Sequence, residues 1–91
     1  MSNRVTNADL DAVLGRYIHA VDAVGIIHEG FRMDHGSKVN GRAFRLFRND
    51  DREAPGTING YLGMTKTEAW DRLHTLAKAF EDAAYYGRLG K

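Results

Sequence analysis

Four histidines, two serines and a run of arginines are the residues of this chain whose chemistry could serve a function. His28 and Glu29 stand six residues before Asp34 and His35, and such a set could bind a metal or trade a proton. Its spacing does not match a helical His-x-x-x-His pair, and a strand–turn–strand segment would have to bring the groups together. The reading is therefore surface or half-buried histidine, with no metal and no cofactor. His19 and His74 fall at the polar edges of helical patterns and read as solvated. Ser2 and Ser37 are the only serines, and there is no cysteine, so a thiol nucleophile, a thiolate metal site and a disulfide are excluded. Phosphate-binding glycine loops and the Gly-x-Ser-x-Gly elbow are missing as well. No catalytic residue is assigned, and the chain reads as a non-enzyme.

The arginines are more informative. Arg32, Lys38, Arg42, Arg45, Arg48 and Arg52 lie within one stretch, set against Asp34, Asp50 and Asp51, with Phe44 and Phe47 between them. Guanidinium groups interleaved with aromatic rings can pair phosphates and stack on bases. The same residue types anchor protein interfaces, or they form a solvated sheet face paired with its own carboxylates. Candidate binding residues are Arg42, Arg45, Phe47 and Arg48 on the strand, and Lys66 at the start of the last helix.

The elements that must position these residues follow from periodicity. A helix over 6–24 is predicted from Leu10, Val13, Leu14, Tyr17, Ile18, Val21 and Val24, with Thr6 or Asn7 as N-cap, Asp9 and Asp11 near the positive end of the dipole, and Gly25 as the stop. Gly15, inside it, marks a close helix contact. Strands are expected within 26–62. The first is placed at 26–33, followed by a turn at 34–37. The second covers 39–48, with Phe44 and Leu46 inward and Arg45 and Phe47 outward. After a polar connection at 49–56, a third covers 57–62, with Ile58 and Leu62 inward and Gly60 allowing a helix to approach. A last helix over 65–86 opens on a Thr65–Glu68 capping box. It buries Trp70, Leu73, Leu76, Ala77, Phe80, Ala83 and Ala84 and stops at Gly87. Tyr85 and Tyr86 either finish the core or form a dimer contact.

Both apolar helix faces need the same sheet face, which gives an α+β two-layer sandwich of order α-β-β-(β)-α, a small antiparallel sheet covered by two helices. Residues 1–91 make one domain. The composition, 43% hydrophobic and 27% charged with a formal net charge of +1, provides one core and no general attraction to nucleic acid. No apolar run approaches the roughly 18 residues of a membrane span, and the N-terminus lacks the apolar centre of a signal peptide. A cytoplasmic protein is expected.

Two resemblances converge on the second half. Arg42-Ala43-Phe44-Arg45-Leu46-Phe47-Arg48-Asn49, a polar loop, Gly60-Tyr61-Leu62-Gly63 and Thr65-Lys66-Thr67-Glu68-Ala69-Trp70 together resemble small accessory proteins of actinobacterial phages. That likeness covers about residues 40–85. It implies expression in a host cytoplasm and, for some members, binding to host proteins, and it transfers no functional residue. The helix–strands–helix order with Gly63-Met64-Thr65-Lys66-Thr67-Glu68-Ala69 is similar to the double-stranded-RNA-binding domain, in which a Ser-Lys-Lys-x-Ala-Lys pattern spans phosphates. Lys66 and Ala69 match it. Thr67 and Trp70 replace two of its lysines, and Glu68 and Asp71 would face the phosphates. The function expected is thus protein–protein contact with a host protein or a second copy. The alternative is a nucleic-acid-binding module using the basic face.

Overall fold

The structure is a computed structural model that describes residues 5–26, 28–35, 43–50 and 52–89, apart from the side chains of 35, 88 and 89. Helix α1 spans Asn7–Ala23 and helix α2 spans Lys66–Leu89. Between them lie strands β1 (Phe31–His35), β2 (Phe44–Arg48) and β3 (Tyr61–Gly63) in one antiparallel sheet of order β1-β2-β3. The expected α+β order is the observed one.

Thr6 caps α1 with a complete capping box. Its hydroxyl accepts from the Asp9 N–H at 3.2 Å, and the Asp9 carboxylate accepts from the Thr6 N–H at 2.9 Å. At the other end, Gly25 N–H bonds Asp22 O and Ile26 N–H bonds Val21 O, so the helix stops where expected. A Cβ placed on Gly15 would meet nothing within 4 Å outside its own helix turn, which corrects the close contact expected there.

Leu10, Val13, Tyr17, Ala20 and Val21 of α1 join Phe44, Leu46 and Leu62 of the sheet and Ala69, Leu73 and Ala77 of α2 in one buried cluster. Each large side chain taken fully from water contributes about 1.5–3 kcal/mol before chain entropy is subtracted. Arg16 reaches His74 and Glu81, and Tyr17 meets Phe80 edge-on with centroids 6.0 Å apart, so the two helices pack against each other. Tyr17 also touches Phe31 edge-on and donates its hydroxyl proton to the Pro55 carbonyl at 2.6 Å. One side chain thereby ties α1 to α2, the sheet and the 52–60 segment.

Several local expectations are corrected. The first strand starts at Phe31, because Gly30 (φ +118°) and His28 build a turn before it, and Asp34 and His35 extend the strand instead of leaving it. The expected turn residues Gly36 and Ser37, with Val39 and Arg42 of the second strand, lie outside the described residues. The third strand is shorter than expected. Asn59 (φ +53°) and Gly60 (φ +76°) are both left-handed, and Tyr61 N–H bonds Ile58 O, the arrangement of a type I′ turn. Ile58 is consequently 81% exposed on that turn, not in the core, whereas Leu62 is buried. The 49–56 connection also pairs with β2. Arg48 N–H bonds Arg52 O, Phe47 bridges Glu53, and Ala54 is buried with its N–H on Leu46 O.

Gly63 (φ +155°) lets β3 enter α2 directly, since a Cβ there would stand 2.5 Å from Glu68 Cβ. Thr65 Oγ1 accepts from Glu68 N–H at 3.1 Å, as expected. The Glu68 carboxylate instead accepts from Met64 N–H, one residue before the expected partner. Trp70 is only half-buried, Ala83 is exposed, and α2 runs through Gly87 without stopping. Tyr85 and Tyr86 are exposed and meet each other edge-on, so they do not finish the core.

Candidate binding surface on the outer face of the sheet

Strand pairing sorts the candidate residues by face. Residues directly opposite each other in antiparallel strands share a face. Phe31, Met33, Phe44 and Leu46 turn toward the helices. Arg32 pairs with Phe47 and Asp34 with Arg45 on the other side. Tyr61 of β3 faces Arg45 across the second pairing, and Glu53 faces Phe47 across its bridge. Two cross-strand rows result, Asp34–Arg45–Tyr61 and Arg32–Phe47–Glu53. Each row carries one carboxylate, one guanidinium and one aromatic ring.

The turn at Asn59-Gly60 builds the floor of this surface. A Cβ on Gly60 would stand 2.6 Å from Leu46 O and 3.2 Å from the Phe47 ring, so β2, not a helix, is what approaches it. With hydrogen alone at Gly60, Phe47 lies across the turn, half-buried. The Arg32 guanidinium carbon sits 5.6 Å from the Phe47 ring centroid, within cation–π range. Arg45 Nη1 donates to Asn59 O at 3.2 Å. Together Arg45, Phe47, Arg48, Arg52, Glu53 and Asn59 line a shallow concavity of about 610 Å³.

Two carboxylates of this surface are already engaged. Asp50 accepts from Arg48 Nη2 at 2.8 Å and from the Arg52 N–H at 3.2 Å. The Arg48 hydrogen bond, aided by the Arg52 N–H and both positive charges, holds the Asp50 carboxyl below its ordinary value against a smaller opposing effect of burial. Glu53 accepts from Asn59 N–H at 2.6 Å and so fixes the turn. The Nε atoms of Arg45 and Arg48 are buried and have no acceptor.

Arg45, Phe47 and Arg48, expected as binding residues, are thus brought together. Arg48 reaches the concavity from the strand end although its Cα faces Phe31. Lys66 is exposed in the first turn of α2 and does not line the concavity. Arg42 lies outside the described residues. Glu53, Asn59 and Tyr61 were not singled out from sequence, and Arg52 only as the end of the arginine run. Asn59-Gly60 was the signal that could have found them, since it is the strongest short hairpin signature and folds residues 52–61 back along β2.

Of the histidine set, the side chain of His35 lies outside the described residues. His28 Nδ1 accepts from Gly30 N–H, so its other nitrogen carries the proton and donates to Asp22 at 2.5 Å. Its ring rests 4.6 Å from Phe31, which makes it a brace for the α1–β1 turn. Glu29 and Asp34 are exposed, and among the described residues no group of three His, Asp or Glu could hold a metal ion. His74 stacks on Trp70 with its ring nearly parallel, centroids 4.9 Å apart, and its Nδ1 stands 3.0 Å from Arg16 Nη1. It is half-buried, where solvation was expected. Among the described residues no helix is long and apolar enough to cross a membrane.

Comparison with protein-family models, curated proteins and solved structures returned no match.

Proposed function

We propose that this chain is a non-enzymatic binding protein that acts by protein–protein contact through the outer face of its sheet, in the manner of a phage accessory protein directed at a host protein in the host cytoplasm. The observation that carries the reading is the pair of rows Asp34–Arg45–Tyr61 and Arg32–Phe47–Glu53. Arginine and aromatic side chains on a supported surface are the residue types that anchor protein interfaces. The charge balance argues the same way. Among the described residues, Arg32, Arg45, Arg48 and Arg52 stand beside Asp34, Asp50 and Glu53, a nearly balanced set, whereas a phosphate backbone needs a run of cations to displace its counterions. A second copy of the chain is the other protein that this face could take.

A photo-crosslinking amino acid in place of Phe47, with Asp82 as the control position, tests the reading in an actinobacterial lysate. One discrete crosslinked protein at position 47, and none at 82, is the expected result; a crosslink between copies would identify the partner as self. Phe47→Ala in the otherwise native chain should weaken that complex at least fivefold, as truncation of an interface anchor does. Absence of any crosslink, together with binding to duplex RNA or DNA that falls steeply with salt and weakens in Arg45→Ala and Arg48→Ala, would replace it with nucleic-acid binding.

A further inference from the structure

We infer that strand β1 is the edge along which two copies of this chain join, pairing antiparallel about Met33 so that two sheets of three strands become one of six. This goes beyond the reading of the outer face, since it concerns the rim of the sheet and identifies its occupant as a second copy.

The two edges of this sheet differ. β3 is three residues long, and its pairing with β2 slips by a residue between Phe44 and Arg45. Its first amide and the one after its end are taken within the chain, Tyr61 N–H by Ile58 O and Met64 N–H by the Glu68 carboxylate. A short, bulged edge of this kind resists the addition of another strand. β1 instead runs through five residues in regular register with β2, without proline or bulge. Asn49 N–H bonds Gly30 O, which fixes the phase of that ladder. Arg32 and Asp34 therefore direct their backbone groups at β2, and Phe31, Met33 and His35 direct theirs outward. Among the described residues, no hydrogen bond ends on the outward N–H or C=O of Phe31 or Met33.

Outward groups must meet outward groups, so a second β1 completes the ladder only where odd-numbered residues stand opposite each other. Centring such a pair on Arg32 sets two arginines face to face, and centring it on Asp34 sets two aspartates face to face, both of which oppose pairing. Centring it on Met33 sets Arg32 of each copy opposite Asp34 of the other, in the closer type of cross-strand pair. Arg32 also donates to Arg48 O and lies over Phe47, and it is the sign of its charge that selects the register. The helix layer agrees. Arg16 marks the side of α1 that meets α2, and Leu14 and Ile18 lie about 160–200° around the helix from it. α2 starts directly from β3, and Tyr17 brings α1 onto Phe31 of β1, so the flank of Leu14 and Ile18 overlooks the β1 edge. Leu14, Ile18 and Met33 are each half-buried. A two-fold axis through Met33, perpendicular to the sheet, puts both helix layers on one side and brings these apolar flanks together. On the outer face the rows Arg32–Phe47–Glu53 and Asp34–Arg45–Tyr61 then run on from copy to copy, arginine to aspartate at the junction.

Sedimentation equilibrium of the full chain, from micromolar to millimolar concentration, should show monomers passing into dimers. In the 15N-labelled chain the Met33 amide should exchange with solvent about tenfold more slowly in the dimer than in the dilute monomer. Arg32→Glu and Asp34→Lys should each weaken the homodimer about tenfold while staying folded by circular dichroism, since each sets like charges opposite at both junctions. Mixed in equal amounts, the two variants should pair with each other to within about threefold of the parent affinity, because every junction of that mixed pair again joins opposite charges. A chain still monomeric at millimolar concentration, a dimer whose Met33 amide exchanges as fast as the monomer's, or folded variants that fail to pair on mixing would each overturn the inference. A crosslink between copies through position 47 with no protection at Met33 would place the second copy on the outer face and overturn it too. The exchange measurement on the parent chain decides even where a variant fails to fold.

Discussion

At the scale of single residues, two side chains carry pH-dependent stability in opposite directions. Burial pushes the Tyr17 phenol well above its ordinary value of 10, because the phenolate would lose its hydration inside the core. A group whose folded value is raised contributes fully below its unfolded value and loses that contribution as pH rises toward the folded one. Stability should therefore decline above about pH 10, and Tyr17→Phe should flatten that decline in urea titrations made across the alkaline range. At neutral pH the same substitution should cost about 1–1.5 kcal/mol, since it removes the bond to Pro55 O and leaves that carbonyl without its donor. Glu81 behaves conversely. Its hydrogen bond to Arg16 holds its carboxyl below the ordinary 4.5, with the positive charges of Arg16, His74 and Lys78 adding to the effect. Its contribution is complete above 4.5 and disappears as pH falls through the lowered value, so Glu81→Gln should show a shallower acid limb in thermal melts. The pair is largely exposed, so the difference should shrink as salt is added.

At the scale of elements, the hairpin that supports the candidate surface depends on backbone conformations which side chains resist. Gly60→Ala would set a Cβ against the Leu46 carbonyl at a positive φ and should destabilise the chain by more than about 1 kcal/mol. The Arg45 and Phe47 signals should move in that variant even at temperatures where it is folded. Gly15→Ala, in the middle of α1 with open space around it, should instead stabilise by up to about 1 kcal/mol, read as a raised urea midpoint at unchanged m-value. Two glycines of one chain thus respond with opposite sign, for reasons invisible in composition. The short β3 follows from the same turn. A dipeptide with both residues left-handed cannot continue a strand, so Thr57 to Gly60 become turn and only Tyr61 to Gly63 remain as ladder.

At the scale of the whole molecule, the narrow dimension of 19 Å is that of two layers, one of helices and one of sheet. Among the described residues, the large apolar side chains that are completely buried lie between those layers, including Leu46, Leu62 and Leu73. Leu73→Ala should cost about 2–5 kcal/mol in urea unfolding, because the packed helices cannot collapse onto the space it leaves. Ile58→Ser should lie within about 0.5 kcal/mol of the parent, since that side chain is solvated at the turn. Among the described residues no third layer covers the outer face of the sheet, and the rows of arginine, aromatic and carboxylate line it.

The residues by themselves determined the element order, both helix starts and most of the core, because capping and a 3.6-residue period act within a few residues of chain. Thr6, Thr65, Leu10, Tyr17, Leu46 and Leu73 are examples. The inward placement of Phe44 and Leu46, and with it the outward placement of Arg45 and Phe47, was legible from alternation alone. Only the tertiary structure decided which charges are spent and which remain. Asp50, Glu53 and Glu81 find their partners through a strand end, a turn and a helix pair, and Asn59 reaches Arg45 across a strand pairing. Those distances are set by pairing register and by the turn at Asn59-Gly60, which place residues far apart in sequence side by side. Local periodicity carries no record of them.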